Sequence, residues 1–162
     1  MTEIEYNKCV NDYADNVYRF VLKNLRHEAD AQDVVQTAFE TLWEQRAKVV
    51  TDNVKSLLFT IAYRKMIDFI RSRKRTVYHE EMSAFDKADI PKGNHLRSVL
   101  TTALNTLDDT KRSLVLLKDY EGYSYEEISE ITGLNASQVK VYLHRARLQL
   151  RAYIVKMENV IT

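Results

Sequence analysis

SYEEISEITGLNASQVKVYLHRAR, residues Ser124 to Arg147, encodes two helices and the corner between them. Ser124 with Glu127 three residues on is a capping box, in which a hydroxyl and a carboxylate satisfy orphan N–H groups at a helix start. Ile128 and Ile131 give that helix one buried face. Gly133 stands where a helix ends in the left-handed region, and Leu134 is an apolar plug in the turn. Asn135 with Gln138 repeats the capping signal. Val139, Leu143, Ala146 and Leu150, spaced four, three and four, form the inner face of the second helix. Ser137, Gln138, Lys140, Val141, His144 and Arg145 are left facing outward. Two short helices, a glycine corner and a basic second helix predict a helix-turn-helix, whose second helix enters the major groove. Gln suits adenine, Arg suits guanine, and Val141 suits a thymine methyl. Arg147 and Arg151, further along, suit phosphate. An ordinary helical hairpin with a solvated basic face is the alternative. The two caps, the glycine and the basic bias together favour the helix-turn-helix.

Helical periodicity extends outward from this motif in both directions. Tyr6, Cys9/Val10, Tyr13, Val17, Phe20/Val21 and Leu25 predict a first helix. Ala31, Val34/Val35, Ala38/Phe39 and Leu42/Trp43 predict a second. Val54, Leu57/Leu58, Ile61/Ala62, Met66 and Phe69/Ile70 predict a third, with Asn53 as its N-cap. The pattern stops from Thr76 to Asn94, where charges are mixed and Pro91 and Gly93 stand close together, a linker signature. It resumes at Leu96, Val99/Leu100, Ala103/Leu104 and Leu107, and Asp108 can cap a further helix through Leu114, Leu117 and Tyr120. The expectation is an all-α protein of two small helical domains, residues 1–75 and 96–162, joined by a flexible linker over 76–95, the second domain a helix-turn-helix.

Composition agrees with this reading. Across 162 residues, hydrophobic residues make up 45% and charged residues 29%, a globular balance. There are only 3 glycines and 1 proline, too few for turn-rich β folds or phosphate loops. Cys9 is the only cysteine. It cannot pair internally, which fits a reducing cytoplasm and a small buried residue on a helix; a redox sensor is the sharper alternative. The first residues are acidic rather than basic-then-apolar, and no run approaches the roughly 20 apolar residues of a bilayer span. A cytoplasmic protein with no leader and no membrane insertion is expected.

Net charge is +1, yet it is unevenly spread. Arg64, Lys65, Arg71, Arg73, Lys74 and Arg75 face one acid, Asp68. Lys140, Arg145, Arg147, Arg151 and Lys156 face none between Gln138 and Lys156, while acids load the first third of the chain. Two separate basic helices can hold a polyanion in two places; two solvated faces are the bland alternative.

Three segments carry a resemblance. Ala31-Gln32-Asp33-Val34-Val35-Gln36-Thr37-Ala38-Phe39-Glu40-Thr41-Leu42-Trp43 resembles the polymerase-binding helix of ECF (extracytoplasmic function) sigma factors, within the sigma-70 family. Leu57 through Arg73 resembles that family's promoter −10 helix. Gly122 through Ile128, followed by Val139 through Arg147, resembles its −35-reading region 4. The matches stand in family order and span nearly the whole chain. Leu107-Asp108 replaces the family's frequent Leu-Pro, and Asp108 can cap in its stead. Thr132 and Val141 stand where the family varies, which bears on promoter sequence rather than on function class.

The resemblance implies a transcription initiation factor with no catalysis of its own. Asp33, Val34, Gln36, Phe39, Leu42 and Trp43 would meet a coiled coil on the large subunit of core RNA polymerase; Phe39 and Trp43 also fit a plain core role. Lys55, Arg64, Lys65, Asp68, Arg71, Arg73, Lys74 and Arg75 would line the promoter −10 site, with Asp68 orienting Arg64 or Arg71. Ser137, Gln138, Lys140, Val141, His144, Arg145 and Arg147 would meet the −35 element. Lys48 to Asn53 resembles the segment that pockets an unstacked promoter base. The expected partners are core RNA polymerase, promoter DNA and an anti-sigma factor, in this family often membrane-bound. No cofactor and no metal are expected: no G-x-x-x-x-G-K-[ST] loop is present, and His27, His79, His95, His144 and Cys9 lack ligand spacing. The competing readings are a dimeric helix-turn-helix regulator, which would bind a palindrome unaided, and an enzyme with a distributed site.

Overall fold

A computed structural model describes residues 1–77 and 95–161, and among these there is no strand. The chain divides into two compact units, one centred on the first three helices and one on the remainder. In the first, α1 spans Glu3–Leu25, α2 spans Glu28–Glu44 and α3 spans Val54–Val77. In the second, α4 spans His95–Asn105, α5 spans Asp109–Val115, α6 spans Tyr125–Thr132 and α7 spans Ala136–Ile161. The linker expected over 76–95 lies outside the described residues except at its ends, where Thr76 and Val77 continue α3 and His95 begins α4.

Local chemistry sets the helix ends. The Thr2 hydroxyl accepts from the Glu5 N–H at 3.1 Å, and the Glu5 carboxylate accepts from the Thr2 N–H at 2.7 Å. Arg26 closes α1 in the left-handed region, at φ 57°. His27 Nδ1 accepts from the Asp30 N–H at 3.3 Å and so caps α2, a role its sequence position did not suggest. Between α2 and α3 the chain makes two single 3-10 turns, Arg46–Lys48 and Thr51–Asn53.

The three helices of the first unit pack on one another. Val17, Phe20 and Val21 of α1, Ala31, Ala38 and Leu42 of α2, and Leu58, Phe59, Ala62 and Met66 of α3 are almost fully excluded from solvent. Phe20 meets Phe59 at a centroid distance of 5.6 Å. Each of the larger side chains contributes about 1.5–3 kcal/mol by burial.

In the second unit α7 packs against α4 and α5. Asp108 caps α5, accepting from the Lys111 N–H at 2.8 Å. Arg112 is buried and donates to the carbonyls of Leu104 (3.3 Å) and Leu107 (3.0 Å) and to the Asp109 carboxylate (3.0 Å). It thereby satisfies backbone acceptors where α4 ends. A π-helical turn, Leu116–Tyr120, follows α5 and leads to Gly122 at φ 78°.

Candidate polymerase and nucleic-acid interfaces

The helix-turn-helix forms as its caps predict. The Ser124 hydroxyl accepts from the Glu127 N–H at 3.1 Å, and the Glu127 carboxylate accepts from the Ser124 N–H at 3.0 Å. Asn135 Oδ1 accepts from the Gln138 N–H at 2.8 Å, and Gln138 Oε1 accepts from the Asn135 N–H at 3.0 Å. Gly133 has φ 80°, a region an L side chain resists. The Ser129 hydroxyl donates to the Leu134 carbonyl across the corner. The second helix is not short: α7 runs for 26 residues, since Tyr153, Ile154 and Met157 keep it half-buried well past Leu150.

On α7, Val139, Leu143 and Ala146 are buried, while Ser137, Gln138, Lys140, Val141, His144, Arg145 and Arg147 are all exposed. Two of these are already engaged. The Gln138 side chain is half of the cap, so base reading by Gln138 competes with capping. Arg147 donates to the Asp119 carboxylate at 2.8 Å. That bond raises the guanidinium pKa above its ordinary value; partial burial acts the other way, and the Tyr125 hydroxyl adds a smaller upward push. Val141, 45% exposed, is an apolar point on an otherwise polar face.

On α3, Arg64, Asp68, Arg71, Arg73, Lys74 and Arg75 are exposed, and Lys65 is half-buried. Five consecutive exposed residues from Arg71 to Arg75 mean that the helix has left its core by this point, beyond Met66. Arg73 lies 3.9 Å from the Asp30 carboxylate. Asp68 forms no ion pair with Arg64 or Arg71 among the described residues, which corrects the orienting role expected of it. Lys55 is half-buried, its ammonium 6.0 Å from the centre of the Tyr13 ring. The 3-10 turns before α3 leave Lys48, Asp52 and Asn53 exposed, and Val50 67% exposed.

On α2 the expected interface splits in two. Asp33 and Gln36 are exposed, and Gln36 Nε2 donates to the Glu40 carboxylate at 3.2 Å. Val34, Phe39 and Leu42 are buried, so they support this face from behind and offer little surface of their own. Helical spacing is the reason: positions 34, 38 and 42 point at α1 and α3, and 33, 36, 37 and 40 point away. Thr37 and Glu40, which sequence reasoning passed over, belong to the outward face, and their offsets from Asp33 and Gln36 were the available signal. Trp43 is half-buried at the end of α2. The Tyr6 ring meets it edge-on at 4.9 Å, the Tyr6 hydroxyl donates to the Phe39 carbonyl at 3.0 Å, and the Arg46 guanidinium lies 3.8 Å from its centre.

Among the described residues no group of three or more His, Cys, Asp or Glu side chains is placed to hold a metal ion. No described helix is long and apolar enough to cross a membrane.

Comparisons with known proteins match these features. The family model for sigma-70 region 2 covers residues 9–76, and that for sigma-70 region 4 covers residues 97–150. The chain is 30% identical to the RNA polymerase sigma factor SigV of Bacillus subtilis, over 91% of this chain and 90% of that one. It is 28% identical to the ECF RNA polymerase sigma factor SigE of Mycolicibacterium smegmatis, over 93% of this chain and 62% of that one. In fold it is similar to the sigma factor RpoE solved in complex with the anti-sigma factor NepR from Bartonella quintana, with a TM-score of 0.81 at 23% identity, covering 92% of this chain and 96% of that one. The two matched regions together span most of the sequence and include the polar face of α2, the basic end of α3 and the exposed face of α7: the chain belongs to the sigma-70 family of RNA polymerase sigma factors, in its ECF group.

Proposed function

We propose that this protein joins core RNA polymerase in the cytoplasm and directs it to promoters, acting by adhesion and not by catalysis. Residues 1–75 are assigned to polymerase and −10 binding and residues 96–162 to −35 binding, with 76–95 as the connector. Asp33 and Gln36, with Trp43 at the helix end, contact the polymerase. Lys55, Arg64, Lys65, Arg71, Arg73, Lys74 and Arg75 take the −10 DNA and the phosphates upstream of it. Ser137, Gln138, Lys140, Val141, His144 and Arg145 face the −35 bases, and Arg147 faces phosphate. The observation that carries this reading is the unbroken exposed face of α7 behind a fully formed helix-turn-helix corner.

Strand opening needs no hydrolysis in this scheme. Capture of an unstacked base beside the 3-10 turns at Lys48–Asn53 offsets the few kcal/mol that unstacking costs. An anti-sigma factor, in this family often held at the membrane, restrains the protein until it is needed; a structural relative was solved in complex with an anti-sigma factor.

The polymerase assignment is tested by capture of purified core enzyme with the Asp33→Ala/Gln36→Ala double variant. Both side chains are exposed, so the circular dichroism spectrum stays that of the parent while capture weakens about tenfold or more, as loss of an interface centre does. Undiminished capture by the folded double variant contradicts the assignment.

A further inference from the structure

The first turn of α2 sets one carboxylate between two bases. Asp30 Oδ2 lies 3.2 Å from His27 Nδ1 and 3.9 Å from Arg73 Nη1, which reaches it from the far end of α3. His27 Nδ1 also accepts from the Asp30 N–H at 3.3 Å. A ring nitrogen that accepts carries a lone pair and no proton. The neutral imidazole therefore turns that lone pair toward a carboxylate, which repels it, and leaves Arg73 as the one cation paired with Asp30. A proton on Nδ1 reverses the arrangement: the imidazolium donates to the Asp30 carboxylate and gives up the cap. The other charged groups around His27 are Lys23 and Arg26 at the end of α1, Glu28 beside it on α2, and the bases that flank Arg73 on α3. The His27, Asp30 and Arg73 side chains are 50%, 27% and 42% exposed, so water and DNA can both reach the Asp30–Arg73 pair. A pair so placed is weak enough to be exchanged for another.

We propose that Asp30 is an internal rival of promoter phosphate for Arg73, and that the charge on His27 sets how firmly it competes. This rests on the −10 binding role of α3 given above and adds to it Asp30 and His27, which belong to the start of α2. Asp30 is a positioning residue: it makes no bond to DNA but holds the guanidinium that does. With His27 neutral, Arg73 leaves a carboxylate before it donates to a phosphodiester oxygen, and the exchange offsets part of what the new contact contributes. With His27 charged, the imidazolium takes the carboxylate, Arg73 is released and the local positive charge rises. Both changes act in one direction, so promoter binding tightens as pH falls through the range where an imidazole gains its proton. The contact at stake is to backbone, so the rivalry is blind to base sequence.

The test uses holoenzyme reconstituted from core polymerase and the full chain, with duplex promoter fragments taken from its own mapped start sites and bound at constant ionic strength from about pH 8 to about pH 6. At the upper pH Asp30→Asn tightens binding about threefold, the scale of one exposed ion pair. Arg73→Ala costs more in that background than in the parent, because the arginine there has no rival. Between the two pH values the parent tightens more than His27→Asn, a variant that keeps a capping residue and cannot titrate. Asp30→Asn abolishes that difference. All three positions are accessible to solvent, and circular dichroism checks that each variant is folded. Binding by folded Asp30→Asn no tighter than the parent overturns the rivalry. So does a gain from Asp30→Asn that persists in full when Arg73 is Ala, since it then reports only the loss of an acid near DNA. Equal pH responses of the parent and His27→Asn overturn the control by His27. Parental affinity of Arg73→Ala in both backgrounds overturns the −10 role of Arg73 itself, and the rivalry with it.

Discussion

Arg46 lays its guanidinium on the Trp43 indole, 3.8 Å from the ring centre, and its Nη1 donates to the Trp43 carbonyl at 2.9 Å. With Tyr6 against the ring edge at 4.9 Å, the indole is held from two sides. The end of α2 thus presents a fixed aromatic group, about two helical turns beyond Gln36, rather than a loose one. Rigid aromatic anchors of this kind dominate many interfaces.

Arg46→Ala is expected to free the indole. Trp43 is the only tryptophan, so its emission reports on this site alone and shifts to the red in the variant. Loss of a half-buried cation–π contact costs about 1 kcal/mol, and affinity for core polymerase falls roughly fivefold. Arg46→Lys restores part of both signals. An unchanged emission maximum in Arg46→Ala contradicts the clamp.

The second domain depends on Arg112. Its guanidinium is buried and serves two carbonyls and a carboxylate. Arg112→Ala leaves those acceptors unsatisfied, which costs about 3 kcal/mol. Denaturant unfolding followed by circular dichroism will show the second domain melting earlier while the first keeps its midpoint. Arg112→Lys recovers only part of the loss, because one ammonium cannot span three acceptors.

Gln138 and Arg145 differ in freedom, and their variants will differ accordingly. Arg145 is exposed with no partner among the described residues, so Arg145→Ala changes preference at one −35 base pair by about 1–3 kcal/mol without altering stability. Gln138→Ala also loses half of the α7 cap and lowers stability by about 0.5–1 kcal/mol. Melting curves set beside binding to a panel of −35 variants separate the two effects. A uniform loss across the panel for Arg145→Ala assigns it to phosphate.

Burial, and secondarily the Asp12 charge, push the Cys9 thiol up to about 11 from an ordinary 9.0. The folded state therefore holds this proton more tightly than the unfolded chain. The contribution to stability is complete below about pH 9 and is lost as pH rises toward 11. At pH 7.5 the native thiol reacts with thiol reagents far more slowly than the denatured one, and Cys9→Ala keeps promoter activity. Rapid modification of the native protein at pH 7.5 contradicts this inert role.

Much of this was legible because capping and periodicity are local rules. Ser124 with Glu127, Asn135 with Gln138, and Gly133 each announce themselves within four residues, and each forms the bond or the backbone angle its spacing predicts. Asp108 caps α5 for the same reason. What escaped notice depends on approach in space. Arg112 reads as one more surface charge until α4 ends over it. Asp30 reads as an ordinary first-turn acid until Arg73 of α3 comes up to its carboxylate. The α2 motif is a middle case. A run of matched positions names a helix, but the division of Val34 and Leu42 inward from Asp33 and Gln36 outward is fixed only by where α1 and α3 lie.

Transcription in vitro is the most direct test of adhesion-driven initiation. Purified core RNA polymerase, this protein and genomic DNA from its own source are incubated with nucleotides, and the 5′ ends of the RNA are mapped. We predict discrete start sites that share −10 and −35 sequences and vanish when the protein is omitted. RNA ends no different from those of core enzyme alone, with a folded preparation that captures core, would contradict the account.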